Sequence, residues 1–276
     1  MIGTPLRYPG GKSRVVQTIG AISPSFKEYR EPFLGGGSVF IYMRQMFPNK
    51  TFWVNDLYFD LYQFWINAKE RNEELVAAVK EMKTRFDDGK KMFEHLVDNR
   101  AFFSDFELAV AFFALNRSTF SGTSLSGGYS QESFDKRFTE SSIERLSEVS
   151  SVLGDNVRIT NEDFSVLLDA PGEDVFIFLD PPYYSAEKSA LYGKNGDLHK
   201  GFDHQRFADC CRRCKHKWLI TYDDSPYIRD LFKDYHIEEL KFNYGMNNVV
   251  KDSSMLGHEI IITNYDGTNR KETELF

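Results

Sequence analysis

The run EDVFIFLDPPYY, from Glu173 to Tyr184, restricts the fold more than any other stretch of this 276-residue chain. VFIFL is wholly apolar and short, which predicts a buried strand rather than a helix. Pro181 and Pro182 cannot continue a hydrogen-bonded ladder, so Asp180 stands at the strand's carboxyl end. Runs of similar length recur as EYRE, TFWVNDL, NVRITNEDF, KWLITYDDS, IEELKFNY and GHEIIITNY. Helical segments such as HQRFADCCRRC and SPYIRDLF separate several of them, which predicts an α/β fold with a mostly parallel sheet. The last two runs lack an intervening helix, which predicts an antiparallel hairpin at one edge.

From about Phe59 to Ser142 the pattern changes. LYQFWINAKERNEELVAAVKEMKTRF and FELAVAFFALNRSTF place apolar residues at helical spacing, and no strand alternation interrupts them. The expected organisation is one α/β domain built from residues 1–58 and 143–276, with a mainly helical insertion over 59–142.

Three glycine- or carboxylate-rich stretches bear on chemistry. LRYPGGKSR suggests a phosphate loop, but that loop requires G-x-x-x-x-G-K-[ST] after a hydrophobic strand. Leu6 occupies the first glycine's position and only Met1–Pro5 precede it, so both halves of the signature fail. EPFLGGGSVF places Gly35, Gly36 and Gly37 between a strand and a helix, where a ligand approaches backbone and helix N-terminus closely. Phe40 stands where the dinucleotide fingerprint needs its last glycine. Asp56 ends the next strand, placed to accept hydrogen bonds from a ribose diol. These features point to an adenosine-containing cofactor without specifying its kind. In DPPYY, Asp180 and the rigidly held Pro181 carbonyl offer two acceptors to the two donors of an exocyclic amino group. Tyr183 adds a ring face on which a base can stack.

The formal charge of −7 does not announce a nucleic-acid binder, although a local basic groove can lie on an acidic protein. No apolar stretch approaches membrane-spanning length, and MIGTPLRYPGGK lacks an export signal's apolar core, so a cytoplasmic protein without a membrane partner is expected. Cys210, Cys211 and Cys214 read as free thiols on an amphipathic helix. Cys211, Cys214 and His216 lack a second Cys/His pair at zinc-finger spacing, so no metal site is expected.

LRYPGGK, EPFLGGGSVF, VNDL, ITNEDF and DPPYY, in this order, resemble the Dam-like (D12) class of S-adenosylmethionine-dependent DNA adenine-N6 methyltransferases. HEIIITNY resembles that family's last strand. The resemblance runs from Leu6 to Tyr265. It implies a Rossmann-like methyltransferase fold, S-adenosylmethionine as cofactor, and double-stranded DNA as substrate, with the helical insertion as target-recognition domain. It assigns Tyr8, Gly11 and Lys12 to an opening motif that helps hold the cofactor. Glu31, Pro32, Phe33, Gly35, Gly37 and Ser38 match the main cofactor loop, with Phe33 packed near the sulfonium. Asp56 matches the ribose-binding acid, and Asp163 the acid that accepts the cofactor's adenine amino group. Asp180, Pro181, Pro182 and Tyr183 match the catalytic motif, with Asp180 also on the cofactor side.

NRSTFSGTSLSGGYS resembles the family's recognition hairpin through Asn116, Arg117, Phe120 and Gly122, with Phe120 placed to wedge into the duplex. Leu125 stands where GATC-specific members carry an arginine, and leucine cannot fork to guanine. Arg137 is a candidate substitute, and the recognition sequence stays open. Lys188, Lys194 and Lys200 are candidate phosphate contacts. A monomer is expected, with a cognate restriction endonuclease as a candidate partner. An amino-group methyltransferase for cytosine-N4 or RNA adenine shares the DPPYY chemistry, and a non-catalytic nucleic-acid-binding module could share the fold. Block order and the helical insertion favour DNA adenine. A degenerate module would lose the catalytic acid or the glycines, and this chain keeps both.

Overall fold

The structure is a computed structural model and describes residues 1–184, 201–240 and 259–266. Among these residues the apolar runs form seven strands: β1 (Glu28–Glu31), β2 (Thr51–Asn55), β3 (Val157–Thr160), β4 (Val175–Leu179), β5 (Lys217–Asp223), β6 (His236–Glu239) and β7 (Glu259–Thr263). They join in one sheet of order β3-β2-β1-β4-β5-β7-β6. β1 to β5 are parallel, and β7 runs antiparallel to both β5 and β6. β6 and β7 do pair, yet the later strand lies inside the earlier one. Composition explains the order: EIIIT is buried along most of its length, while HIEE is largely exposed and suits an edge. The run IEELKFNY lies outside the described residues from position 241 onward.

Alternation along β4 divides the core. Phe176 and Phe178 face a cluster shared with α1 (Val16–Ile22) and α2 (Ser38–Met46). Val175, Ile177 and Leu179 face the opposite cluster, with α9 (Phe164–Asp169), α10 (His204–Arg213) and α11 (Pro226–Leu231). Both faces of β4 are therefore covered, as its unbroken apolar run requires.

Between β2 and β3 lie α3 (Phe59–Glu70), α4 (Asn72–Arg85), α5 (Gly89–Asp98), α6 (Asp105–Ser118), α7 (Gln131–Arg137) and α8 (Glu140–Glu148). Every residue of α6 from Leu108 to Ser118 is buried, so α6 is the spine around which the other helices pack. Its start is fixed by a capping box between Ser104 and Glu107. Leu61, Phe64 and Trp65 of α3 belong to the same cluster as Phe52 of β2 and Phe176 of β4. The helical block and the sheet thus share one core.

Arg30, 1% exposed, anchors β1 from beneath. It donates to the carbonyls of Leu167 (2.7 Å), Ala170 (2.8 Å) and Pro171 (2.8 Å), and its Nε lies 2.7 Å from a Glu28 carboxylate oxygen. Removing it leaves the Leu167 and Pro171 carbonyls and the Glu28 carboxylate without this donor, while the Ala170 carbonyl keeps the His216 ring at 2.9 Å. We expect Arg30→Ala to lower the unfolding free energy by about 3–5 kcal/mol in urea denaturation.

Candidate active site

β1 and β4 are neighbours whose outgoing connections lead to opposite halves of the sheet, β2 on one side and β5 on the other. At such a switch point a crevice opens beyond the carboxyl ends of the strands. Here it is a cavity of about 420 Å³. Its wall takes Tyr8, Gly11 and Lys12 from the opening loop, and Glu31, Pro32, Phe33, Gly35, Gly37 and Ser38 from the segment after β1. Asp56 follows β2, Asp163 follows β3, and Asp180, Pro181, Pro182 and Tyr183 follow β4 on the same wall. The sheet topology therefore gathers every residue assigned above to cofactor or catalysis.

The glycine loop has little freedom. Gly35 and Gly37 hold φ of +49° and +67°, the left-handed region that favours glycine. A Cβ on Gly36 would lie 2.7 Å from Tyr8 Cβ, so the opening loop packs directly on this one. Asp56 fastens the loop from the next strand: Oδ2 accepts from the Gly35 amide at 2.8 Å and Oδ1 from the Tyr58 amide at 2.9 Å. Burial pushes the Asp56 carboxyl up to about 6 despite those two amides, which favour its ionised form. Trp65 Nε1 donates to the Gly35 carbonyl at 3.0 Å, and Asn55 Nδ2 to the Pro32 carbonyl at 3.0 Å.

The opening loop is a tight turn. The Gly11 amide donates to the Tyr8 carbonyl at 3.0 Å, with Pro9 and then Gly10 (φ +72°) between them, the pattern of a type II turn. The turn aims Lys12 inward, where it is 4% exposed. Its Nζ donates to the Gly10 carbonyl at 2.7 Å, lies 3.0 Å from Asp180 Oδ2, and sits 5.0 Å from the Tyr183 ring centroid. Thr221 Oγ1 of β5 donates to Asp180 Oδ1 at 2.7 Å. The lysine meets a carboxylate, not a bed of amides shaped for phosphate.

Acidic groups dominate the cavity. Glu31, Asp56, Asp163 and Asp180 line it against Lys12 and Arg206. Burial holds the Glu31 carboxyl well above its usual range, opposed by a hydrogen bond from the Tyr29 hydroxyl and reinforced by the charge of Asp180. Asp163 is drawn down to about 2, first by Arg206. Arg206 reaches Asp163 Oδ2 at 3.1 Å and Oδ1 at 2.6 Å while its guanidinium lies 4.7 Å from the Phe164 ring centroid. Asp163 also caps α9 through the Ser165 amide. Its Oδ1 is therefore saturated, and the expectation of an open acceptor is corrected to Oδ2 alone. Phe33, Phe164 and Phe202 form an aromatic wall with ring centroids 5.6–5.8 Å apart.

The recognition residues divide by exposure. Phe120 is 71% exposed and Arg137 ends α7 on the surface. Asn116 is 0% exposed and spends its amide on the chain itself: Oδ1 accepts from the Arg7 amide at 3.0 Å, and Nδ2 donates to the carbonyls of Arg7 and Gly122. Gly122, at φ +75°, brings the hairpin backbone against Arg7, where a Cβ would lie 2.5 Å from the Arg7 carbonyl. The structure thus corrects both as direct DNA contacts; they brace the hairpin onto the opening loop. Arg117 is 4% exposed and stands over the Phe113 ring. Burial, with Arg145, Arg7 and Arg137 nearby, lowers its guanidinium to about 9. Leu125 packs against the core. Lys188, Lys194 and Lys200 lie outside the described residues.

Several site residues had no sequence signal. Thr221, Glu259, Arg206 and Trp65 sit on other strands and helices and share no local motif with the residues they touch. Asn55 precedes Asp56 at a strand end, and that placement alone could have marked it. Cys210 and Cys211 lie on α10 with Cys214 at its end, and all three are free thiols. Among the described residues no helix is long and apolar enough to cross a membrane.

The sheet order, the glycine loop after β1 and the acidic crevice with DPPY at its lip define a Rossmann-like methyltransferase. The profile of the D12 class N6 adenine-specific DNA methyltransferases matches residues 8–246, and the chain belongs to that family. It is 25% identical over 281 residues to the Type II methyltransferase M1.LlaDCHI of Lactococcus lactis subsp. cremoris, covering 94% of each chain. It is 27% identical over 250 residues to the DNA N-6-adenine-methyltransferase of Escherichia phage P1, covering 85% of this chain and 32% of that one. Type II methyltransferase M.CviBI of Paramecium bursaria Chlorella virus NC1A is 24% identical over 271 residues, covering 94% of this chain and 98% of the relative. The chain is accordingly a DNA adenine-N6 methyltransferase.

Proposed function

We propose that the methyl donor is S-adenosylmethionine, held in the crevice between β1 and β4, and that Asp180 and the Pro181 carbonyl receive the amino group of an adenine turned out of double-stranded DNA. The observation that supports this best is the convergence of the glycine loop, Asp56 and Asp180 on one acid-lined cavity. A cavity of this sign favours a sulfonium and disfavours a triphosphate. Bound there, the donor would supply an electrophilic methyl group: the new nitrogen–carbon bond replaces the carbon–sulfur bond, the neutral thioether leaves, and the nitrogen's surplus proton passes to solvent. Asp56 suits a ribose diol, and the wall of Phe33, Phe164 and Phe202 suits an adenine ring. Asp163 Oδ2 is the acceptor left for that ring's amino group.

The amino nitrogen of adenine is a poor nucleophile because its lone pair is delocalised into the ring. Donating its two hydrogens to Asp180 and the Pro181 carbonyl favours a more tetrahedral nitrogen with a directed lone pair. Orientation and electrostatics supply the rate, with Tyr183 stacking on the extruded base. Calorimetry with S-adenosylmethionine and ATP separates this reading from a nucleotidase. Expression in a methylation-free host, followed by long-read detection of modified bases, identifies base and recognition sequence together. Cytosine-N4 methylation in that assay would overturn the assignment of adenine.

On the DNA side, Phe120 is the candidate wedge, and Arg7, Arg117 and Arg137 form a basic cluster on an otherwise acidic protein. The 59–142 block is proposed as the target-recognition region, acting in a cytoplasmic monomer. The names of the Type II relatives make a cognate restriction endonuclease a candidate partner. Because Phe120 is mostly exposed, Phe120→Ala should leave thermal stability and cofactor affinity unchanged. It should lower kcat/KM on duplex DNA by about tenfold, in line with losing ~1–3 kcal/mol of base stacking. A smaller loss on a substrate whose target adenine is mismatched would mark the role as base opening.

A further inference from the structure

In the structure each oxygen of Asp180 already faces a donor. Thr221 donates to Oδ1 at 2.7 Å, and the Lys12 ammonium lies 3.0 Å from Oδ2. An ammonium this close withdraws the charge that the incoming amino hydrogens must find. Lys12 is 4% exposed, so it cannot step aside into water. Its alternative is Glu259, the first residue of β7, whose Oε2 lies 3.9 Å from Nζ. That oxygen is buried and receives no hydrogen bond among the described residues, with the Tyr183 hydroxyl as a further neighbour. β7 pairs with β5 in the register Asp223↔Glu259, so the sheet itself fixes this carboxylate beside the site.

We propose that Glu259 is a positioning residue that draws the Lys12 ammonium off Asp180 as the target base enters, freeing Asp180 Oδ2 to accept the amino group. The inference rests on the reading of Asp180 as amino-group acceptor. A shift of about 1 Å brings Nζ to the ~2.8 Å of a charge-assisted hydrogen bond with Glu259. A buried carboxylate oxygen gains most from a charged donor, and Lys12 is the cation within reach of Oε2. Burial raises the Glu259 carboxyl, Asp180 and Asp223 add to that, and the Lys12 ammonium opposes it, so an approaching ammonium favours the ionised carboxylate. The ammonium stays inside the pocket in both positions, so the pocket gains or loses no charge when the base arrives.

The test is single-turnover methyl transfer from tritiated S-adenosylmethionine to DNA from a methylation-free host, with donor affinity measured by calorimetry. Glu259→Gln should slow transfer about tenfold or more while donor affinity stays within about threefold. Glu259→Asp, which keeps the charge, should give an intermediate rate. In a double-mutant cycle the effect should vanish: with Lys12→Met in place, adding Glu259→Gln should change the rate no further. Additive losses, lost donor binding in Glu259→Gln, or a wild-type rate in that variant would overturn the inference. The underlying reading fails separately, if Asp180→Ala transfers methyl groups at the wild-type rate.

Discussion

Asp180→Ala should reduce methyl transfer by about 10³-fold or more, while S-adenosylmethionine still binds within a few-fold of the wild type. The carboxylate is expected to act on the amino group and to touch the donor little, so the loss should fall on kcat in single-turnover assays. The fold should tolerate the change. Asp180 is partly exposed at the crevice lip, and its partner Lys12 keeps Glu259 and the Gly10 carbonyl. Asp180→Asn makes the informative comparison. The amide keeps an oxygen for Thr221 but loses the charge facing Lys12, so its rate should fall between alanine and wild type. Rates equal to wild type in both variants would remove Asp180 from the chemistry.

How much of this site could be read before the fold was known depended on the range of the interaction. VFIFL followed by two prolines located β4 and its terminal acid, because a buried strand and a ladder stop are local properties. The glycines after β1 were legible for the same reason, since a strand-to-helix turn leaves its mark in the residues that make it. The partners of those groups were not. Lys12, Asp180, Thr221 and Glu259 are far apart in the chain, and the last three meet because β4, β5 and β7 are neighbours in the sheet. Asn116 shows a different failure. An amide that reads a base and one that braces a backbone are the same chemical group, and only burial tells them apart. The antiparallel hairpin at the sheet edge was legible, but not that β7 lies inside β6, which the apolar content of EIIIT explains. The opening turn was misleading in composition but not in spacing: Gly10 and Gly11 make a type II turn that aims a lysine at a carboxylate.

The second large effect should come from Asp56, and pH separates it from other acids of the crevice. Its carboxyl stands at about 6 in the unliganded protein, raised by burial. A folded-state value above the ordinary carboxylate range means that the protonated form favours the fold. That contribution is fully present below the unfolded value near 4 and is lost as pH rises through about 6. Accepting two ribose hydroxyls calls for the ionised form, so donor binding at low pH must expel a proton. Affinity for S-adenosylmethionine should therefore be flat above about pH 7 and weaken by about tenfold per pH unit below about 6. Calorimetry in two buffers of different ionisation enthalpy should show close to one proton released per donor bound at the acid end. Asp56→Asn should weaken binding at neutral pH and flatten this profile. Asp56→Ala also frees the Gly35 and Tyr58 amides, and should cost about 100-fold in affinity. Glu31 is raised by burial as well, and any slope that survives in Asp56→Asn would belong to it. An unchanged slope in that variant would move the ribose away from β2, because no proton on Asp56 would then compete with the donor.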